Sequence, residues 1–157
     1  MVGNPVCTGT YSCKNSVITG NPTCGGTNAS CQGAAITGDA ACTGYSTCKD
    51  ATITGDVSCT DRYACKTATI VGDVECTGTQ ACYQATITGN INCDGANACY
   101  DVTIKAGSVI TCGGSSSSVC STINYGELTG GTTDGCCGDY CGGAPAYDNW
   151  YDCKDLL

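Results

Sequence analysis

The residues with the clearest chemical potential in this chain are its cysteines, of which there are 18, against no histidine at all. Thiols at that density point to oxidation into disulfides in an extracellular scaffold rather than to nucleophilic catalysis. The count is even, so nine bridges would leave no free thiol. Without histidine neither a Ser-His nor a Cys-His pair can be assembled. No phosphate-binding loop or zincin motif is present. The chain has 14 Asp and Glu, yet nothing in the pattern singles out two of them as a catalytic acid and base. A Cys-x5-Cys step also lacks the short paired spacing of structural zinc sites. The expectation is a protein that is not an enzyme and that takes no cofactor and no metal.

The bulk charge narrows the partners. Net charge is −8 with only six Lys and Arg, so there is no basic stripe to neutralise phosphates and nucleic acid is not an expected partner. No apolar run approaches the roughly 20 residues that a membrane-spanning helix needs. Met1-Val2-Gly3-Asn4-Pro5 has neither the charged nor the apolar region of a signal peptide, and is read as the start of a mature, secreted form. Asn28-Ala29-Ser30 is a formal glycosylation sequon. A monomer is expected.

The cysteines are positioned by a repeat. Cys42, Cys59, Cys76 and Cys93 lie 17 residues apart, and each opens a phrase that in its clearest copies reads Cys-Thr-Gly-x-x-x-Cys-x-x-Ala-Thr-Ile-Thr-Gly-Asp-Val-x. Upstream, Cys7 opens a copy of 17 residues and Cys24 one of 18; downstream, Cys93 opens one of 19 and Cys112 a degenerate one. The second cysteine keeps step as Cys13, Cys31, Cys48, Cys65, Cys82, Cys99 and Cys120, and an isoleucine does so as Ile18, Ile36, Ile53, Ile70, Ile87, Ile104 and Ile123.

A period of 17 is too short for a pair of helices and suits one turn of a β-solenoid. In Ala51-Thr52-Ile53-Thr54 the side chains alternate, with Ala51 and Ile53 on one face and Thr52 and Thr54 on the other. Gly55-Asp56 supplies a turn, and Val57 begins a second short edge that carries Cys59 on the same face. The stretch from Thr60 to Cys65 rounds the next corner. No segment holds an apolar period of 3.6, so no helix is expected in the coils. The predicted fold is an all-β, disulfide-rich solenoid of six to seven coils. Residues 1–111 form the repeats, and 112–157 form a degenerate last coil and cysteine-rich cap within the same domain. Stacking makes each column a ladder, with Ile in one interior row and Ala40, Val57, Val74 and Ile91 in a second.

So narrow an interior buries little apolar surface, and cross-links are the natural supplement. A loop of six residues closed by a bridge gains about 2 kcal/mol by chain-entropy reckoning. The expected bridges are Cys7–Cys13, Cys24–Cys31, Cys42–Cys48, Cys59–Cys65, Cys76–Cys82, Cys93–Cys99 and Cys112–Cys120. Cys136, Cys137, Cys141 and Cys153 would form two more in the cap, with their connectivity open.

Two outward columns flank the isoleucine row. One reads Val17, Ala35, Thr52, Thr69, Thr86, Thr103 and Thr122; the other reads Thr19, Thr37, Thr54, Val71, Thr88, Lys105 and Asn124. Along a strand paired threonines would sit roughly 6.6 Å apart, and between coils roughly 4.8 Å. Their β-branched side chains hold one rotamer, so methyl and hydroxyl groups would form a fixed two-dimensional array that can order water as adsorption to ice requires. Thr is also simply a good strand residue, and the columns alone leave both readings open.

The segment Cys42-Thr43-Gly44-Tyr45-Ser46-Thr47-Cys48-Lys49-Asp50-Ala51-Thr52 resembles the coil of the mealworm-type insect antifreeze proteins. Those repeat Thr-Cys-Thr-x-Ser-x-x-Cys-x-x-Ala with one bridge inside each coil. The likeness covers residues 7–105 and is carried by the Cys-Thr-x-x-x-x-Cys-x-x-Ala core. Here five residues, Ile53 to Val57 in one copy, are interposed. The family's ice face is its Thr-Cys-Thr strand, whose counterparts here, Ser58-Cys59-Thr60, Glu75-Cys76-Thr77 and Asn92-Cys93-Asp94, are mixed and charged. What the resemblance implies is therefore ice binding moved to the Thr-Ile-Thr strand, as in the budworm-type antifreeze proteins, which also use a Thr-x-Thr face. The expected contact residues are Thr19, Thr37, Thr52, Thr54, Thr69, Thr86, Thr88 and Thr103, and the partner is ice or ordered water. The alternative is a structural or adhesive solenoid of a cell wall, sheath or surface, binding glycan and not ice.

The remaining columns have plainer readings. Asp39, Asp56 and Asp73, with Asn21 and Asn90, form a ladder at the Gly-Asp turn. Calcium between coils would relieve the repulsion of stacked carboxylates, but too few oxygen ligands recur beside each Asp, and solvated turn residues are expected. Lys14, Lys49 and Lys66 give way to Tyr83 and Tyr100 in an exposed file, with a cation–π contact expected between Lys66 and Tyr83; an aromatic sugar-binding strip is the competing idea. Beyond Lys105 the rhythm breaks at Ser115-Ser116-Ser117-Ser118 and Gly130-Gly131. The tail holds Trp150, Tyr140, Tyr147 and Tyr151 and is read as the cover that a solenoid end needs, with binding through these aromatics as the other reading.

Overall fold

The computed structural model describes residues 1–105 and 108–112, together with the strand backbones of Asn124–Gly126 and Thr133–Asp134. Alternating apolar and polar residues in runs of three give strands throughout and no helix among the described residues. In chain order they are β1 (Val6–Cys7), β2 (Val17–Thr19), β3 (Thr23–Cys24), β4 (Ala35–Thr37) and β5 (Ala40–Cys42). There follow β6 (Thr52–Thr54), β7 (Val57–Cys59), β8 (Thr69–Val71), β9 (Val74–Cys76) and β10 (Thr86–Thr88). The last are β11 (Ile91–Cys93), β12 (Thr103–Lys105), β13 (Ile110–Cys112), β14 (Asn124–Gly126) and β15 (Thr133–Asp134).

Every pairing between these strands is parallel and joins neighbouring coils. The odd-numbered strands form one sheet of eight and the even-numbered a second sheet of seven. Equal repeat positions meet: Ile36 pairs with Ile53 and Ile53 with Ile70, while Cys42 pairs with Cys59 and Cys59 with Cys76. The chain is a β-solenoid of about six turns with about 17 residues in each. Both sheets continue past residue 112, through β14 and β15.

Burial follows the alternation. Ile18, Ile36, Ile53, Ile70, Ile87 and Ile104 are enclosed, and so is the second apolar row of Ala40, Val57, Val74, Ile91 and Ile110. Parallel strands this short cannot stand alone, and their stability comes from stacking each apolar row on its copies. Six disulfides line the same interior: Cys7–Cys13, Cys24–Cys31, Cys42–Cys48, Cys59–Cys65, Cys76–Cys82 and Cys93–Cys99. Each lies within its own coil, as the spacing predicts. Cys112–Cys120 and the cap cysteines lie outside what the described residues settle.

One expectation is corrected. The sequence columns assign Thr122, Ile123 and Asn124 to the coil after Thr103-Ile104-Lys105. The observed register pairs Thr103 with Asn124, Ile104 with Tyr125 and Lys105 with Gly126. Asn124 therefore takes the register position of Thr103, not that of Lys105. A shift of two residues leaves the strand's inward and outward faces unchanged, so the apolar pattern cannot distinguish the two registers. The serine run before it has no repeat to fix its length.

The corners explain what the composition alone does not. At the Gly-Asp turn, Gly55 and Gly72 adopt φ of +145° and +152°, and a Cβ on either would come within 2.4 Å of a carbonyl oxygen in the coil before. Each corner between the paired cysteines and the next Thr-Ile-Thr strand needs two left-handed residues, such as Ser46 and Asp50 or Tyr63 and Thr67. At the amino end, Val2 bridges to Thr19, covering part of the outer edge of β2, which would otherwise be open to pairing.

Candidate functional site

The solenoid has three sides, and their chemistry differs. On the even-numbered sheet the inward residue of each strand is isoleucine and the two outward residues form the columns expected from the sequence. Val17, Ala35, Thr52, Thr69, Thr86 and Thr103 are in register in one file. Thr19, Thr37, Thr54, Val71 and Thr88 are in register in the other. All eight threonines named above lie on this one face. Thr19, Thr37, Thr52, Thr54 and Thr69 are exposed, while Thr86, Thr88 and Thr103 are half-buried. No hydroxyl of the eight bonds to another described group. Among the outward residues of β2 to β12 on this sheet, Lys105 alone is charged.

The odd-numbered sheet is unlike it. Ala41, Ser58, Glu75, Asn92 and Thr111 follow one another in its central outward file. Beside them runs a shallow groove of about 680 Å³ lined by Asp39, Asp56, Asp73 and Glu75 among others. The Asp and Asn residues of the turn are more than solvated. Asp39 accepts the backbone N–H of Asp56 at 3.0 Å, Asp56 that of Asp73 at 2.8 Å, and Asp73 that of Asn90 at 2.8 Å. Asn4 and Asn21 start the same ladder, accepting from Asn21 and Asp39 respectively. The side-chain oxygen serves as the acceptor for the next coil, a role that sequence columns suggest only through the interchange of Asp with Asn.

The third side, between the paired cysteines and the next Thr-Ile-Thr strand, carries the aromatics. Tyr45 and Tyr63 meet edge-on at 5.9 Å, Tyr63 and Tyr83 edge-on at 6.2 Å, and Tyr83 and Tyr100 stack at 5.5 Å. The Lys66 ammonium lies 5.0 Å from the Tyr83 ring, as expected, and 5.2 Å from that of Tyr63. Arg62 lies over Tyr63 at 4.8 Å. A hydrogen bond to the Tyr63 hydroxyl, and then electrostatic attraction to the same side chain, raise the Arg62 pKa above its ordinary value. Tyr63 escapes a column reading because it sits in a different repeat position from Tyr83; the corner brings the two together.

Cys7, Cys13 and Cys31 bring three sulfurs close together. All three are already in S–S bonds, with Cys13, Cys7 and Cys24 as partners of Cys7, Cys13 and Cys31, so none is a thiolate able to hold a metal. Among the described residues no helix is long and apolar enough to cross a membrane.

These features define a class: a disulfide-braced parallel β-solenoid with one threonine-rich sheet face on which Lys105 is the single charge among the described outward residues of β2 to β12. Comparison with family models, with curated proteins and with solved structures finds no match to this chain. The likeness to insect antifreeze coils is thus one of local motif, and nothing in these comparisons links the chain to those proteins by descent.

Proposed function

We propose that this is a secreted, non-catalytic, monomeric ice-binding protein that adsorbs through the outward face of the even-numbered sheet. The observation that carries the reading is the in-register double file of Thr52 and Thr54, Thr69 and Val71, Thr86 and Thr88. Its hydroxyls are uncommitted and its strands repeat at about 4.8 Å. Ice presents a surface periodic in two directions, and a ligand that matches it must be periodic in two directions as well. Stiff side chains on hydrogen-bonded strands lose little further entropy on adsorption. Charged side chains would hold their own hydration shells, and this face is nearly free of them. Six disulfides are compatible with an oxidising, extracellular setting. Thermal hysteresis and ice-crystal shaping by the oxidised protein, repeated after reduction, test the proposal. Activity present before reduction and lost after it is expected, and an oxidised protein that neither depresses freezing nor shapes ice ends the idea.

The second reading, a structural or adhesive solenoid, draws on the tyrosine run across four coils from Tyr45 to Tyr100. Specific retention on a glycan or mineral, removed by substitution of Tyr83 and Tyr100 and unaffected at Thr86, would favour it.

A further inference from the structure

Ser30 is wholly enclosed, and its hydroxyl is the buried side-chain polar group without a hydrogen-bond partner among the described residues. It stands just before the second cysteine of its coil, where later coils hold Thr47, Ala64, Ala81 and Ala98. Thr47 meets the same enclosure by donating to the Gly44 carbonyl at 3.1 Å, and the alanines avoid it. A hydroxyl buried unpaired costs about 1–3 kcal/mol. Ser30 therefore weakens the coil it occupies, whereas Ser12, the serine of the same column in the first coil, is exposed and bears no such cost.

Asn28 lies two residues earlier and is exposed. Its carbonyl accepts the N–H of Tyr11, which places it in a row with Tyr45, Arg62, Thr79 and Ala96, each accepting from the coil before. All five are exposed. Side chains so unlike one another share this row because it lies at the surface, where Tyr45 and Arg62 pack against the Tyr63 ring without being enclosed. Among the described bridges this coil also has the one lengthened cysteine step, a separation of 7 where that of Cys42–Cys48 is 6.

We propose that Asn28 is an N-glycosylation site and that Ser30 is there for recognition by the glycosylating enzyme rather than for the fold. Asn-x-Ser is the acceptor sequence for that modification, and the hydroxyl of its third residue takes part in recognition. Because folding encloses Ser30, transfer has to precede closure of the Cys24–Cys31 loop. The donor is a polyprenyl-diphosphate-linked oligosaccharide. The Asn28 side-chain nitrogen bonds to the anomeric carbon as the bond from that carbon to the diphosphate oxygen breaks. The lipid diphosphate leaves with the electron pair, and the amide gives up one proton. The glycan then projects from the third side of the coil and leaves the Thr-Ile-Thr face uncovered.

The chain, routed through the secretory pathway of a eukaryotic host, is mapped by mass spectrometry before and after amidase release of N-glycans. Most molecules should carry a glycan on Asn28, converted to aspartate on release. Asn28→Gln and Ser30→Ala should abolish it, and Ser30→Thr should keep it. Secreted wild-type protein with Asn28 unmodified overturns the proposal. Unglycosylated protein from a bacterial host supplies the second readout. There Ser30→Ala should melt at or above the wild-type temperature, and a lower melting temperature would show that the hydroxyl serves the fold. Neither measurement depends on ice.

Discussion

The carboxylate of Asp56 accepts the backbone N–H of Asp73, one coil further along the stack, at 2.8 Å. The acceptor matters here and the charge does not, which is why Asn21 and Asn90 occupy the same row and bond in the same way. Asp39, Asp56 and Asp73 nevertheless bring three carboxylates into consecutive coils, roughly 5 Å apart by strand spacing, and like charges at that distance repel. Asp56→Asn should therefore keep the bond and leave stability unchanged or raised. The gain should be largest at low ionic strength, because salt screens the repulsion it removes. Asp56→Ala deletes the acceptor and should cost about 1 kcal/mol. Chemical denaturation of the oxidised variants at low and high salt separates the two effects, and equal losses for Asn and Ala would contradict the ladder.

Thr67 shows where local preference and the fold disagree. It is a β-branched residue at φ +57°, a region that costs non-glycine residues about 1–2 kcal/mol and that Asn tolerates better. Its hydroxyl, with one proton to donate, lies within hydrogen-bond reach of the Asp50 carboxylate in the previous coil and of the Lys66 carbonyl, which offsets part of the strain. Asn15 already holds the equivalent corner at φ +54°. Thr67→Asn should raise stability by about 0.5–1 kcal/mol, and Asn15→Thr should lower it by a similar amount. Opposite signs in calorimetric melting are the expected result; equal signs would show that the hydroxyl bonds and not the backbone dominate.

Gly72 makes the opposite case, in which one residue type alone fits. Its φ of +152° disfavours any L side chain, and an added Cβ would come within 2.2 Å of the Gly55 carbonyl oxygen. Backbone in the way cannot rotate aside, so the coils would have to separate. Gly72→Ala should cost at least about 2 kcal/mol. Gly9 is the contrast, since a Cβ there meets only the Ser12 Cβ, at 3.6 Å; Gly9→Ala should be nearly silent in the same denaturation experiment.

The fold was legible because three columns repeat together. Cysteine, isoleucine and the Gly-Asp turn recur at one period, and stacking equal positions follows from that period alone. The six bridges within coils came from the same spacing. The paired left-handed corners were not legible, because Tyr63, Thr67, Ser46 and Gln80 are not residues that advertise positive φ. Nor was the role of the Asp row, since a carboxylate at a turn reads as solvated unless the next coil's N–H is seen beside it. The register after Lys105 was missed because a slip of two residues conserves face alternation. As for the candidate surface, the two threonine files could be written down from the sequence. So could the near absence of charge on them, but that their hydroxyls are uncommitted required the structure.

Val71 interrupts the second file between Thr54 and Thr88, with which β8 keeps register. It is half exposed and has the branching of Thr without the hydroxyl, so Val71→Thr completes the array without altering the strand's shape or propensity. If the files contact ice, that change should raise thermal hysteresis at equal concentration. Thr86→Tyr, which lifts a ring above the middle of the face, should abolish most of it. Tyr is also a favoured strand residue, so the fold should survive, as circular dichroism and an intact disulfide map would verify. The control is Ser58→Tyr on the odd-numbered sheet, where the neighbouring residues Ala41 and Glu75 are mixed; it should leave hysteresis unchanged. Equal losses from Thr86→Tyr and Ser58→Tyr in folded protein would place the contact somewhere other than the threonine files. A rise with Val71→Thr joined to a collapse with Thr86→Tyr would be hard to reconcile with threonine serving only as a strand former.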